Sequence, residues 1–156
     1  MTGFRRGTRV GVDVGRARVG VARCDPDGLL ATPVETVPRD DASIARIREL
    51  ADEMSAVEIV VGLPIGLSGH DTPSTQDARD FAAELARGAI PVRLVDERLS
   101  TVTAHDALRS SGRTSRSSRS IVDQVAAVVL LQHAIDVEKR SGVAPGSPVP
   151  PAEEHA

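Results

Sequence analysis

The chain has 156 residues, a formal net charge of −3, one cysteine and two phenylalanines as its only aromatic residues. That length suits a single domain with its own core, and the lone Cys24 excludes an internal disulfide or a zinc cluster built on cysteines, which fits a reducing compartment. The charge excludes a blanket cationic coat for nucleic acid, and with only Phe4 and Phe81 base stacking is excluded as a main recognition mode, so any nucleic acid would be held through its backbone.

Residues 1–7 read as a flexible N-terminal arm. Arg5, Arg6 and Arg9 are not followed by an apolar run long enough for a signal peptide or a membrane span, so the expected location is cytoplasmic. One domain is then expected over 8–140. Val10, Val12 and Val14 alternate, as do Val19 and Val21, which predicts a strand over 8–15 and a second over 18–24, joined by a turn at Gly15-Arg16-Ala17. Asp25-Pro26-Asp27-Gly28 is a turn signal, and a third strand over 29–36 completes an antiparallel meander.

From Asp40 the period becomes helical, with Ile44, Ile47, Leu50, Ala51 and Met54 on one face, Asp40 or Asp41 as N-cap and acids in the first turn. The run Glu58-Ile-Val-Val-Gly-Leu-Pro64 reads as a buried parallel strand, and the Gly/Pro/Ser-rich segment 64–73 as a loop at its carboxyl end. Ser74 or Thr75 opens a helix through Phe81 and Leu85, which Gly88 stops. Residues 90–95 form the fifth strand and deliver Asp96-Glu97-Arg98 to its end. A helix capped by Ser100 follows, carrying Val102, Ala104, His105 and Leu108 and ending near Gly112. The run 111–120 has no apolar residue and is expected to be mobile. Ile121 to Ile135 form a helix apolar on more than one face, hence buried against the sheet, with Asp123 in its first turn. The segment 141–156, with Pro145, Pro148, Pro150 and Pro151, has the composition of a disordered tail.

The expected fold class is therefore α/β, a five-stranded mixed sheet of an antiparallel three-strand meander plus two parallel strands, flanked by helices. Asp13 is a lone carboxylate within an apolar strand. It either faces water or caps the turn, or it is buried and needs a cation or a set of donors. If the fourth strand lies beside the first and the fifth beside the fourth, Asp13 and Glu97 approach one another and the buried helix brings Asp123. Adjacent residues on a strand point to opposite faces, so Asp96 and Glu97 cannot both face such a site, and Glu97 is the choice. Three carboxylates held together require raised pKa values or a bound divalent cation, and an oxygen-only donor set favours Mg²⁺ or Mn²⁺ over zinc. Two such ions about 3.5–4 Å apart activate water and stabilise the leaving oxygen of a phosphodiester displacement. Asp123 keeps a second reading, since an acid in a first helical turn is stabilised by the macrodipole without metal. The four histidines show no ligand spacing.

Lys139 is the only lysine, and the arginines cluster over 5–23 and 109–119. This bias fits either a GC-rich genome or bidentate phosphate contacts. Arg98 has the alternative of pairing with Asp96.

Gly-Val-Asp13-Val-Gly15 with Arg18-Val-Gly-Val-Ala22, Val-Val-Gly62-Leu-Pro64, Asp96-Glu97-Arg98-Leu-Ser-Thr101, and Asp123-Gln-Val-Ala-Ala127 with Leu130-Leu-Gln132 occur in the order in which they stand in the YqgF/RuvX family, and the chain resembles that family over about residues 8–138. The resemblance implies an RNase H-like fold and a nuclease of ribosome biogenesis that hydrolyses phosphodiester bonds in pre-16S rRNA, at the 5′ end of the small-subunit precursor. Resolution of Holliday junctions is the related alternative. It implies Asp13, Glu97 and Asp123 as the catalytic and metal-binding acids, two Mg²⁺ or Mn²⁺ ions as cofactors, and a monomer or weak homodimer. Arg16, Arg18, Arg98, Arg113, Arg116 and Arg119 are the expected nucleic-acid contacts. The family's usual lysine in the first motif is Ala17 here, and its lysine-rich loop before the last acid is serine and arginine, so charge is kept while geometry differs. Two other classes compete. A nucleotide-binding module shares Asp-x-Gly after a first strand, but its relatives duplicate the domain and this chain is too short for two copies. A non-catalytic RNA- or ribosome-associated protein would bind RNA without its acids and without metal.

Overall fold

Strand alternation decides which layer each residue serves. The computed structural model describes residues 3–66, 68–97 and 115–152, with the backbone alone for 115–121. Strands β1 (Arg9–Val14), β2 (Arg18–Cys24) and β3 (Ala31–Pro38) form the expected antiparallel meander, followed by α1 (Ser43–Glu53), β4 (Glu58–Leu63), α2 (Pro73–Leu85), β5 (Val92–Asp96), α3 (Ser115–Ser141) and β6 (Ser147–Pro148). The sheet order is β3-β2-β1-β4-β5-β6, with β1/β4 and β4/β5 parallel and β5/β6 antiparallel. Val10, Val12, Val19, Val21, Ile59 and Val61 point to one face and bury Ile47, Leu50, Phe81 and Leu85 of α1 and α2. Ala22, Val60 and Val95 point to the other and meet Ala127, Leu130, Leu131 and Ile135 of α3. The mixed α/β architecture is the expected one, with one strand more than expected.

That strand comes from the tail. Residues 147–148, expected to be disordered, pair with β5, and the Val149 N–H donates to Val92 O at 2.9 Å and the Ala152 N–H to Ala83 O at 3.0 Å. Its prolines suit an edge strand, where one side needs no donor. The arm is tied down as well. Arg5 reaches Glu138 at 2.7 Å and Glu58 at 3.1 Å, although composition alone suggested a loose segment.

Other differences are local. Leu29 and Leu30 belong to a turn and not to β3, because both N–H groups donate to Asp25 Oδ1, at 2.8 and 2.9 Å. Helix α1 starts after Ala42 without a side-chain cap or first-turn acids, since Asp40 is used earlier, accepting from the Ala42 N–H at 2.8 Å. Helix α2 opens one residue sooner than expected, with Thr72 as N-cap, a reciprocal Thr72/Thr75 capping box and Pro73 in its first turn. Helix α3 already runs from Ser115, so 115–120, expected to be mobile, are helical; a run without apolar residues has no periodicity to read. The helix expected over 100–112 lies outside the described residues.

A buried ion cluster closes the far end of α3. Arg9 is 2% exposed and Glu138 3%, and they pair at 2.9 Å. Glu58, 5% exposed, takes Arg93 at 3.3 Å besides Arg5. Phe4 lies over the Arg9 guanidinium at 4.3 Å. Burial works against the Glu138 carboxylate, but its bonds from Arg5 and the charge of Arg9 outweigh that and hold its pKa below the ordinary value. Removing one partner strands the other in low dielectric, so Glu138→Ala is expected to cost about 3–5 kcal/mol in urea unfolding, a large share of a small domain's stability. A loss within experimental error would show that the cluster is not coupled to folding.

Candidate active site

Asp13 shares the face of β1 that Gly11 turns to α3, and its cross-strand partner is Gly20 on β2. A Cβ on Gly20 would lie 1.8 Å from the backbone oxygen of Asp123. The helix backbone thus rests on the bare strand beside Asp13, and this seat delivers Asp123 to it. Gly11 contributes to the same seat, with Leu131 Cβ at 2.9 Å and Ala127 O at 3.0 Å from its absent Cβ. On the other side β4 and β5 are in parallel register, Gly62 beside Val95 and Leu63 beside Asp96, and the Glu97 N–H donates to Leu63 O at 3.2 Å. Glu97 continues the parity of Val95, toward α3, where Gly62 leaves room for it: a Cβ there would meet Glu97 Oε2 at 2.3 Å.

The Asp13 and Glu97 carboxyls share a hydrogen bond, which protonated Glu97 donates. Burial pushes the Asp13 carboxyl up, and the Asp123 charge adds to the rise. Burial, the Asp13 charge and the shared hydrogen bond push Glu97 up to about 8. The pair therefore retains a proton at neutral pH. Asp123 is oriented differently. Its Oδ2 accepts from Arg18 Nε at 2.7 Å, and among the described residues no three His, Cys, Asp or Glu side chains are close enough together to hold one metal ion. Asp123 sits roughly two turns inside α3, beyond the reach of the helix terminus, so the macrodipole does not account for it.

The expected cationic residues divide. Arg18 bonds Asp123, while Arg16 is exposed at the β1–β2 turn. Arg116 and Arg119 lie on α3 ahead of Asp123; Arg98 and Arg113 lie outside the described residues. Arg5 and Arg9, part of the same arginine cluster in sequence, are used by Glu58 and Glu138.

Sequence reasoning missed several supporting groups. Arg39 grips Asp77 of α2 with two bonds, at 2.8 and 2.9 Å, donates to Gly15 O at 3.0 Å, and lies 4.9 Å over the Phe81 ring. It therefore ties the turn after Asp13 to α2. Gln124 Nε2 donates to Thr36 Oγ1 at 2.8 Å and Gln132 Oε1 accepts from the Ala31 N–H at 2.9 Å, which fixes α3 against β3. A strand glycine paired with a motif acid, as Gly20 is with Asp13, was the available signal.

The mixed sheet carries one acid on its first strand, one just past its fifth and one on the helix that packs across that face. The solved structure titled T. thermophilus RuvC in complex with Holliday junction substrate has the same fold, at TM-score 0.57 and 17% identity over 90% of this chain and 99% of that one. The chain belongs to the RuvX family, whose model, described as Holliday junction resolvase, matches residues 7–137. A relative from Clavibacter michiganensis subsp. michiganensis, named "Putative pre-16S rRNA nuclease", is 58% identical over 151 residues, covering 94% of either chain. One from Streptomyces avermitilis with the same name is 54% identical over 151 residues, covering 94% of this chain and 97% of its own.

Two outcomes follow from this geometry. A carboxyl whose folded pKa is raised favours folding below its unfolded value and loses that contribution as pH rises through the folded one, so metal-free protein should lose stability between pH 4.5 and about 8. Glu97→Gln should flatten that slope in melts across this range, and an unchanged slope would remove Glu97 as its source. Gly20→Ala should cost about 1–3 kcal/mol or more, because backbone must move, whereas Gly62→Ala meets only side-chain ends, Glu97 Oε2 and Leu130 Cδ2, and should cost less. Equal losses in the two would refute the distinction.

Proposed function

We propose that this chain is a metal-dependent endonuclease that hydrolyses phosphodiester bonds of pre-16S rRNA in the cytoplasm, with its catalytic unit over residues 8–140. The observation that carries the reading is Asp13 and Glu97 on the sheet face under α3, sharing a hydrogen bond, with Asp123 on α3 above them bound to the Arg18 guanidinium. The donor set suits Mg²⁺ or Mn²⁺ in kind, because every candidate ligand is a hard oxygen; bringing all three acids round an ion requires Asp123 to turn from Arg18 toward the Asp13–Glu97 pair. Asp13, Glu97 and Asp123 would hold two ions, which when bound supply an activated water and charge stabilisation at the leaving oxygen.

The protein's own part is positional. The glycine seat holds α3 on the sheet, Arg39 holds the turn after Asp13, and Gln124 anchors the helix turn that carries Asp123. Arg16, Arg98, Arg113, Arg116 and Arg119 supply positive charge for the phosphate backbone, which predicts affinity that falls steeply as salt rises. The names of the relatives favour an rRNA precursor, so in an assay offering pre-16S rRNA and a four-way DNA junction with Mg²⁺ or Mn²⁺, the RNA is expected to be cut and the junction left intact. Asp13→Asn should reduce cleavage by about a hundredfold or more. Junction cleavage without RNA cleavage would favour the resolvase alternative. RNA binding without cleavage, unchanged by loss of the acids, would identify a non-catalytic binder.

A further inference from the structure

Arg18 stands where a cofactor cation and a phosphate would both compete for its neighbours. It begins β2, after the turn that follows Asp13, and its Nε donates to Asp123 Oδ2 at 2.7 Å. The side chain of Arg18 is 36% exposed and that of Asp123 16%. The contact uses Nε alone, and among the described residues the two terminal guanidinium nitrogens make no further hydrogen bond. This differs from the Arg39–Asp77 fork and from the buried Arg9–Glu138 pair. A single bond of this exposure is worth at most about fivefold in an equilibrium constant, so it is a weak latch that a divalent cation can displace.

We propose that Arg18 is a built-in counter-ion for Asp123 that leaves its carboxylate when a divalent cation loads and then turns its guanidinium to the nucleic-acid backbone. Its charge holds Asp123 in the metal-free protein, where the Asp13 carboxylate would otherwise repel it. Cation binding releases the arginine, so metal and nucleic acid bind with positive coupling through one side chain. Arg18 is thus a positioning residue for Asp123 and a phosphate contact, at different stages. This rests on the proposed metal-dependent nuclease.

The test uses the full chain and two binding readouts. In calorimetric titration with Mn²⁺ alone, Arg18→Gln should bind about threefold to fivefold more tightly than wild type, because the competing cation is gone. Arg18→Lys keeps the charge and should stay near wild type. In EDTA, with a short fluorescent single-stranded RNA, Asp123→Asn and Asp13→Asn each remove one negative charge, but only Asp123→Asn frees Arg18. Asp123→Asn should bind RNA about threefold more tightly than Asp13→Asn, and adding Arg18→Gln should abolish the difference. Equal Mn²⁺ affinity in wild type and Arg18→Gln, or equal RNA affinity in the two acid variants, would overturn this inference alone. Absence of Mn²⁺ binding in both wild type and Arg18→Gln would overturn the metal reading and this inference with it.

Discussion

The structure depends on the direct seating of α3 on strand backbone. Gly11 and Gly20 sit on neighbouring strands and face the helix, and the Cβ each lacks would meet Leu131 Cβ at 2.9 Å and the Asp123 backbone oxygen at 1.8 Å. No larger residue permits this approach at Gly20, because the opposing atom is a helix carbonyl. The same close approach that buries Leu130 and Leu131 sets the position of Asp123 beside Asp13. Packing and site geometry are thus consequences of one contact.

Along α3 the two polar ends are treated differently. Glu138 stands 15 residues after Asp123, about 22 Å along the helix. At the Glu138 end, buried acids and arginines are matched by several bonds among Arg5, Arg9, Glu58 and Arg93. At the Asp123 end, Asp13 and Glu97 rely on a shared proton and Asp123 on one bond from Arg18. Buried charge that a fold leaves weakly compensated is characteristic of functional sites, because a ligand can supply what the protein does not.

Family membership narrows the chemistry while leaving this chain its own solutions. Ala17 stands where the family's lysine is usual, and the cations around the first motif are Arg16 and Arg18, one exposed and one bonded to an acid. A guanidinium can hold a carboxylate through Nε while presenting two further nitrogens, which an ammonium group cannot do in the same fixed geometry. Arg39 supports the turn from the opposite layer through Asp77 and Phe81.

The strand meander, the two parallel strands and the buried character of α3 were all legible in sequence, because period-two and helical apolar patterns report directly which face meets a core. Alternation established only that Asp96 and Glu97 cannot share a face, and the family pattern favoured Glu97; in the structure Glu97 lies on the α3 side, in contact with Asp13. The sixth strand, the docking of the arm through Arg5 and the start of α3 at Ser115 were not, since each involves polar or proline-rich residues without periodicity. Nor could spacing along the chain separate Arg9, buried against a glutamate 129 residues away, from Arg18, held by an aspartate 105 residues away. Local pattern determined the elements and their faces; only the folded chain decided which charges meet, because ion pairs depend on distances in space that sequence separation does not encode.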